Sequence, residues 1–246
     1  MRKNVLIAIL ILSVQNLWSQ QYYNDSALVS GASDHVKRLY IEKRGNLLAI
    51  FNGKLHNSYL SSIEGTAYFI SDSFQMGTLV YENIFYENIV MNYDLVLDQL
   101  IVAENRSTGL PISLFSPRVK EFSYAGLIFF YLNNTDPLSA YLSEGFYQQL
   151  ASGQATAICR STKVIIETPG ESTVLRRFEQ QKRYYIIKEG QLYHIKRKQD
   201  LLNTLKDQRK GIQEFMRSQK LNFKKKKERT ITAVTEFYNK TGGKKI

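Results

Sequence analysis

The sequence predicts an α+β protein that is mainly antiparallel β, built as a hairpin meander with a short helical appendage at its C-terminus. Turn dipeptides separate short apolar segments between about residue 39 and residue 195. One of these segments alternates apolar and polar residues with a period of two, and beyond Ile195 the apolar spacing becomes helical. These patterns leave open whether the strands form an open sheet, a sandwich or a barrel-like sheet.

Three dipeptides have the residues that tight hairpin turns require. Such turns need backbone with positive φ, which glycine and asparagine tolerate best. Each dipeptide stands between two short apolar segments, so three antiparallel hairpins are predicted. The dipeptides are Asn52-Gly53, Ser152-Gly153 and Glu189-Gly190.

A tetrapeptide repeats between residues 81 and 89, as Tyr-Glu-Asn-Ile in both copies. The first copy predicts a turn, with Asn83 in the left-handed conformation that asparagine tolerates. From Ile89 to Leu97 apolar and polar residues then alternate, which predicts a strand with one buried face. After Gln99 the apolar positions change parity, so a bulge or turn is expected close to Asp98.

Two further segments are less regular. Asp136 followed by Pro137 predicts a helix start, because aspartate caps helices and proline is favoured at their first position. Residues 166–182 combine Pro169, Gly170 and mixed charges, and this composition predicts a long loop or irregular connection.

Beyond Ile195 three apolar stripes predict three short amphipathic helices. Breaks are expected at or just before Gly211 and across the lysine run 224–227. Narrow stripes need a partner, and the β-rich part of the chain is the nearest one. The predicted organisation is a signal peptide at 1–19, a β-rich body at 20–197, and a basic helical tail at 198–246 packed on the body. The stripes are Leu201, Leu202 and Leu205; Ile212, Phe215 and Met216; and Ile231, Val234, Phe237 and Tyr238.

The N-terminus has the pattern of a secretory signal. Arg2 and Lys3 precede an apolar run, Val5 to Leu12, and a more polar stretch that ends at Ser19. The run is much shorter than the roughly 20 residues that a membrane-spanning helix needs. We therefore expect cleavage near Ser19, an exported protein that is periplasmic or extracellular, and no transmembrane segment in the mature chain.

Charge is distributed unevenly along the chain. Residues 20–171 hold ten Lys and Arg against fifteen Asp and Glu, whereas residues 172–246 hold twenty-one against seven. A basic end would suggest nucleic acid in a cytoplasmic protein. Export argues against that partner, so an anionic envelope surface or an acidic protein is expected instead.

Three stretches resemble an uncharacterised family of exported proteins from Bacteroidota-type bacteria. They are GTLVYENIFYENIVMNYDLVLDQLIV, GFYQQLASGQATAICRSTKVI and YYIIKEGQLYHIKRKQDLLNTL, and the resemblance extends roughly over residues 52–238. The family usually has glycine where this chain has Asn83, a difference that affects the turn and no chemistry. The resemblance implies an envelope or extracellular setting and supplies no catalytic residue, because the family has no assigned activity.

Candidate catalytic and metal-binding residues are few. The histidines are His35, His56 and His194, with no spacing typical of zinc ligands, and Cys159 is the single cysteine. His194 is expected opposite Tyr185 in a hairpin, and Cys159 as a small buried residue. No cofactor, metal site or nucleotide-binding glycine loop is predicted, so the chain is interpreted as a non-enzymatic protein.

Asp94 and Asp98 are the acidic pair considered for hydrolysis. On one strand they would lie about 13 Å apart. Glycosidase carboxylates lie roughly 5–9.5 Å apart. The two side chains are therefore interpreted as carboxylates on the solvent face, while a pair assembled from different strands stays open.

The preferred hypothesis is an exported envelope or secreted protein that binds or scaffolds. Its alternatives are an exported hydrolase of glycan or peptide and a periplasmic lipid carrier. Asp25-Ser26-Ala27 fits a weak pattern for bacterial O-glycosylation. Tyrosine offers contact area and lysine attracts anions. The predicted binding surface is Tyr184, Tyr185, Tyr193, Lys196, Arg197, Lys198, Lys224, Lys225, Lys226 and Lys227.

Overall fold

The computed structural model describes residues 50–51, 53–104, 109–170 and 174–242. Over these ranges the chain is mainly strand and ends in three short helices. The strands form one open, mainly antiparallel sheet. The predicted fold class is confirmed. The signal peptide, His35 and the tripeptide at 25–27 lie outside the described residues.

Twelve strands and three α-helices make up this part of the chain. The first six strands are β1 (Lys54–Leu55), β2 (Ile63–Glu64), β3 (Gln75–Tyr81), β4 (Ile84–Asp94), β5 (Gln99–Ala103) and β6 (Ile112–Ser113). The next six are β7 (Val119–Tyr124), β8 (Leu127–Leu132), β9 (Gly145–Ala151), β10 (Ala155–Pro169), β11 (Val174–Lys188) and β12 (Gln191–His194). The helices are α1 (Lys198–Thr204), α2 (Arg209–Ser218) and α3 (Lys227–Thr241).

The sheet consists of two meanders joined side by side. Its strand order is β1-β6-β5-β4-β3-β7-β8-β9-β10-β11-β12, and β2 pairs in parallel with β11. The junction is the antiparallel pair β3–β7, which links the run β3 to β6 with the run β7 to β12. Most neighbours in the sheet are thus neighbours in sequence, as tight turns dictate.

Two of the three predicted hairpins are confirmed. β9 and β10 are joined around Ser152-Gly153, and β11 and β12 are joined at Glu189 (φ 53°) and Gly190 (φ 73°). Positive φ at both central residues matches the twist of the flanking strands. Asn52 lies outside the described residues, and the segment after it, Lys54–Leu55, pairs with β6.

Both copies of the repeated tetrapeptide place asparagine in the left-handed region. In the first copy Glu82 (φ 51°) and Asn83 (φ 66°) form the predicted turn between β3 and β4. In the second copy Asn88 (φ 57°) lies inside β4, where the register with β3 shifts opposite Thr78. One sequence pattern therefore makes a hairpin turn once and a β-bulge once.

β4 differs from the prediction in its buried face. Ile89, Met91 and Tyr93 are buried as expected, but Asn92 and Asp94 on the other face are also fully buried. The strand ends at Asp94, and Leu97 is 53% exposed. The predicted change of parity is confirmed as a turn whose last residue, Asp98, has φ of 54°.

The prediction of a loop over residues 166–182 is wrong. β10 and β11 pair along their whole length, from Ala155 opposite Lys188 to Pro169 opposite Val174, while residues 171–173 lie outside the described ranges. β9 pairs only with residues 157–159 of β10, so the far half of this ribbon extends past β9, and β2 pairs with β11 there. Exposed strands need no apolar alternation, which is why their sequence resembles a loop.

Asp136 and Pro137 begin a helix as predicted, although it is a single 3-10 turn, Pro137–Ala140. The Asp136 side chain accepts a hydrogen bond from the backbone N–H of Leu138 at 2.8 Å. A capped short turn of this kind satisfies backbone donors at its start.

The sheet is covered on one side of β9–β11 by the three helices. Ala155, Ala157 and Cys159 alternate along β10 and face them, together with Tyr184 and Ile186 of β11. Small residues let helix and sheet approach closely. The side chains that complete this core are Leu201, Leu202, Ile212, Met216, Ile231, Val234 and Tyr238 of the helices, with Ile195, Leu205 and Phe223 of the segments beside them.

The predicted helix breaks are confirmed with one refinement. The first break is the 3-10 turn Lys206–Gln208, so Gly211 itself lies inside α2. The second break precedes Lys227, where α3 begins. Of the described helices, none is both long enough and apolar enough to cross a membrane.

Candidate functional site

Five of the predicted basic residues surround one groove of about 870 Å³. Lys196 and Arg197 come from the segment after β12, and Lys198 is the first residue of α1. Lys224 lies in the loop between α2 and α3, and Lys227 is the first residue of α3. The fold therefore brings together two cationic segments that most of α1 and all of α2 separate in the sequence.

The groove combines this cationic rim with an apolar lining. Leu202, Leu221 and Phe223 line it, and among the described residues no aspartate or glutamate does. The nearby Asp200 carboxylate accepts hydrogen bonds from the backbone N–H groups of Lys196 (3.0 Å) and Arg197 (2.7 Å). Asp200 is thereby occupied in starting α1, and these backbone hydrogen bonds, that of Arg197 foremost, lower its pKa.

Lys227 is the most enclosed of the five cations. Its ammonium lies over the rings of Tyr184 (5.0 Å) and Phe223 (5.6 Å). Burial lowers its pKa against the opposing effect of Asp200. Among the described residues no ion pair within 4.0 Å involves any of the five.

The other predicted surface residues do not all face the groove. Lys225 and Lys226 line a smaller adjacent cavity of about 130 Å³ together with Arg229. Tyr184 is only 5% exposed and its hydroxyl donates to Glu228 at 3.3 Å, so it provides packing and no contact area. The lysine run 224–227 is thus divided between two neighbouring cavities.

The two remaining tyrosines are half-buried in the β11–β12 hairpin. Tyr185 stands opposite His194, as predicted, and the two rings stack with centroids 4.8 Å apart. Tyr193 packs against the helix-side core, and its hydroxyl donates to Gln191 at 2.5 Å. Neither tyrosine lines the basic groove.

A buried polar cluster around His56 is a second feature, and no sequence pattern predicts it. His56 Nδ1 lies 3.2 Å from Ser113 Oγ, and His56 Nε2 lies 3.1 Å from the Tyr68 hydroxyl. Asp94 Oδ2 is 3.8 Å from Nε2 and accepts a hydrogen bond from the Tyr59 hydroxyl at 2.8 Å. Burial lowers the pKa of His56, with Asp94 opposing the shift.

The interpretation of Asp94 as a solvent-face carboxylate is wrong. Its side chain is fully buried, and Oδ1 accepts from the backbone N–H groups of Val96 (2.7 Å) and Leu97 (3.0 Å). The carboxylate therefore caps the turn after β4, and the hydrogen bonds that it accepts stabilise its buried negative charge. The one sequence signal for this role is an aspartate at the end of a predicted strand, because such a side chain can accept hydrogen bonds from the backbone N–H groups that follow it.

Asp98 is also engaged inside the protein. Its carboxylate pairs with Arg160 at 2.8 Å, accepts from the Tyr93 hydroxyl at 2.6 Å, and lies 3.3 Å from the backbone nitrogen of Phe146. The Arg160 guanidinium also donates to the Phe146 carbonyl at 2.8 Å. This network joins the β4–β5 turn to β9 and β10. The contacts of the Asp98 carboxylate therefore stabilise the fold.

Several other candidates are placed by the structure. Cys159 is fully buried, as predicted, and burial raises the pKa of its thiol to about 12. Within the described ranges no group of three His, Cys, Asp or Glu side chains could hold a metal ion.

One described cavity is lined by two carboxylates, Glu228 and Glu236 of α3. Both side chains come from one helix, so they are not the pair assembled from different strands that the hydrolase alternative supposes.

Comparison with known proteins adds no family: no family model, curated protein or solved structure matches the chain. The functional argument therefore rests on the geometry of the groove and on the chemistry of its lining.

Proposed function

We propose that the protein is an exported, non-enzymatic binding protein of the cell envelope, and that its basic groove attaches it to an anionic lipid surface. The observation that carries the proposal is the convergence of five cations on one groove, which no carboxylate lines within the part of the chain that the structure describes. Such a field attracts anions and raises their rate of encounter.

Export is supported by the N-terminal pattern and by the family resemblance. Arg2 and Lys3, the apolar run after them and Ser19 have the order of a cleavable signal. A protein outside the cytoplasm meets acidic lipid head groups before it meets nucleic acid. The anionic partner is therefore sought in the envelope.

A lipid surface fits the groove better than a simple anion does. Leu202, Leu221 and Phe223 give the groove an apolar lining beneath the lysines. An acidic lipid offers both a charged head group and acyl carbons, and each basic residue close to such a surface contributes about 1 kcal/mol.

Vesicle binding tests the proposal. The chain beginning at Gln20 is mixed with vesicles of phosphatidylcholine alone or with phosphatidylglycerol added, and sedimented at increasing salt. We expect binding only to the acidic vesicles, with an affinity that falls as salt rises. The variant Lys196→Gln, Lys198→Gln, Lys224→Gln should bind at least about ten-fold more weakly.

The matched control removes the same charge elsewhere. Lys206, Lys210 and Lys240 are exposed and do not line the groove, so their joint replacement by Gln should change the affinity by no more than about two-fold. Equal losses in both triple variants would mean that net charge alone binds vesicles. Binding that ignores salt or lipid charge would contradict the proposal.

A further inference from the structure

A second cavity, of about 450 Å³, lies where the chain between β1 and β3 crosses the sheet. This volume falls within the roughly 300–1,000 Å³ of small-molecule sites. Its walls come from residues 56–74, from Pro111 and from Phe178 of β11. It shares no lining residue with the basic groove.

The polar wall of this cavity is held in place before any ligand arrives. His56 is fixed between Ser113 and the Tyr68 hydroxyl, and the Tyr59 hydroxyl is fixed by its donation to Asp94. Because Tyr59 donates its proton to the carboxylate, the lone pairs of its oxygen stay free to accept from a ligand. Fixed polar groups of this kind lower the entropy cost of binding.

A buried lysine also holds the backbone of this cavity wall in place. The Lys163 ammonium donates to the carbonyl oxygens of Thr66 (2.7 Å) and Tyr68 (2.5 Å). Burial lowers the pKa of Lys163, and Asp72 and Asp94 oppose that shift. Lys163 itself does not line the cavity, so its charge supports the wall without being offered to a ligand.

The lining is close to neutral and rich in hydroxyl groups. Among the described residues the lining contains no lysine or arginine and one carboxylate, Asp72, which accepts a hydrogen bond from Thr66 Oγ1 at 2.7 Å. The hydroxyls of Ser58, Ser61 and Thr66 complete the polar lining. An anionic ligand would find no cationic side chain in this lining, whereas a ligand with many hydroxyls would find partners.

Aromatic rings supply the apolar part of the cavity. Tyr59 and Phe178 meet edge to face with centroids 5.3 Å apart, and Phe74 also lines the cavity. All three rings are half-buried, so part of each face is accessible. Ring faces beside fixed hydroxyls suit the C–H faces and hydroxyl edges of a sugar.

We propose that this cavity is a binding site for a neutral, hydroxyl-rich ligand the size of a sugar residue, with Tyr59, Tyr68 and Phe178 as its main contacts. The inference is independent of the basic groove. A protein held at an envelope surface by the groove would then present a separate glycan contact.

Saturation-transfer NMR on the chain from Gln20 tests the site, with glucose, galactose, mannose and N-acetylglucosamine as probes at millimolar concentrations. We expect transfer to at least one sugar and shifts of tyrosine and phenylalanine signals. Ser61→Trp fills the cavity mouth and should reduce the transfer at least about five-fold. Ser62→Trp is the matched control, since Ser62 is an exposed neighbour that does not line the cavity.

Each outcome decides the proposal. Loss in Ser61→Trp with retention in Ser62→Trp supports the site, provided that both variants keep the thermal midpoint of the parent chain. Equal transfer in the two variants, or no transfer to any of the four sugars, overturns it. Binding of an uncharged peptide in place of a sugar also overturns the assigned ligand class. Vesicle binding should be unchanged in both variants, which keeps the two sites distinguishable.

Discussion

At the scale of single residues, the protein buries several ionisable groups and satisfies them individually. Asp94 has three donors, His56 has two polar neighbours, and Asp98 has Arg160. Each group would be costly to leave without its partners, because desolvation is not repaid. The stability of the fold should therefore depend on these contacts, and through His56 it should also depend on pH.

His56 gives a pH-dependent prediction. The pKa of folded His56 lies below the ordinary value of 6.5, so the folded chain resists a proton that the unfolded chain accepts. His56 thus supports stability above pH 6.5, and this support is lost as pH falls through that value toward its folded pKa. We expect His56→Gln to lower the free energy of unfolding by about 1–3 kcal/mol at pH 7.5 and by less at pH 5.

Urea unfolding of both chains at the two pH values measures the effect. His194 is the comparison, because burial also lowers its pKa but it lies in an exposed hairpin. His194→Gln should cost less at pH 7.5 than His56→Gln. A pH dependence that is identical in the parent chain and in His56→Gln would contradict the role assigned to His56.

At the scale of secondary-structure elements, close backbone approach between strands is decisive. β3 is central to the sheet, because it pairs with both β4 and β7. A Cβ atom on Gly77 of β3 would lie 1.9 Å from the Ser123 carbonyl oxygen of β7. Glycine is required at position 77 because β3 and β7 lie too close together there for a side chain, and not because the backbone has a positive φ.

Gly77→Ala should accordingly destabilise the protein by about 1–3 kcal/mol, because backbone atoms must move to admit the methyl group. Gly126→Ala is the matched control: its φ is 77°, and no heavy atom lies within 4 Å of the added Cβ. Backbone strain alone should cost about 1–2 kcal/mol there. Thermal unfolding of both variants compares them, and an unchanged midpoint for Gly77→Ala would contradict the close approach.

Elements with strong local signals were predictable, and elements defined by distant contacts were not. Hairpin glycines, Asn83 and the three helical stripes act within a few residues, so their structures follow from sequence. The far half of the β10–β11 ribbon is mostly exposed, and its strand character comes from the pairing of β10 with β11 and of β11 with β2. Likewise His56 and Asp94 meet only because β6, β4 and the segment before β2 converge.

The basic groove illustrates the same limit. Its ten candidate residues could be chosen from charge and aromatic content, since both are visible in the sequence. Which lysines share a cavity depends on the helix break before Lys227, and Tyr184 is buried because it lies on the helix-facing side of β11. Composition thus points to this part of the chain, whereas packing decides which of its side chains are exposed to a partner.

At the scale of the whole molecule, the helices are part of the main structure. They cover Ala155, Ala157 and Cys159, and polar contacts also fasten them: Lys188 pairs with Asp207 at 2.7 Å, and Lys182 pairs with Glu228 at 2.6 Å. Without the helices, one face of β9–β11 would expose a continuous apolar surface.

A chain ending at Arg197 should therefore fail to fold into a soluble monomer. The segment after Arg197 supplies nine buried side chains to the core that it shares with the sheet, including Ile231 and Val234, and its removal uncovers their apolar partners. Size-exclusion chromatography and near-ultraviolet circular dichroism of the truncated chain check this. A monomer with the near-ultraviolet spectrum of a packed β body would contradict it.

The last helix also holds a turn made much earlier in the chain. The Asn239 side chain accepts a hydrogen bond from the Ala155 N–H at 2.9 Å and donates to the Ala155 carbonyl at 2.8 Å, across a separation of 84 residues. The amino end of a polypeptide leaves a ribosome or a translocation channel first. The turn before Ala155 therefore cannot form these hydrogen bonds until Asn239 has emerged. Premature termination before Asn239 would then leave the β9–β10 turn without these hydrogen bonds and expose it to proteases.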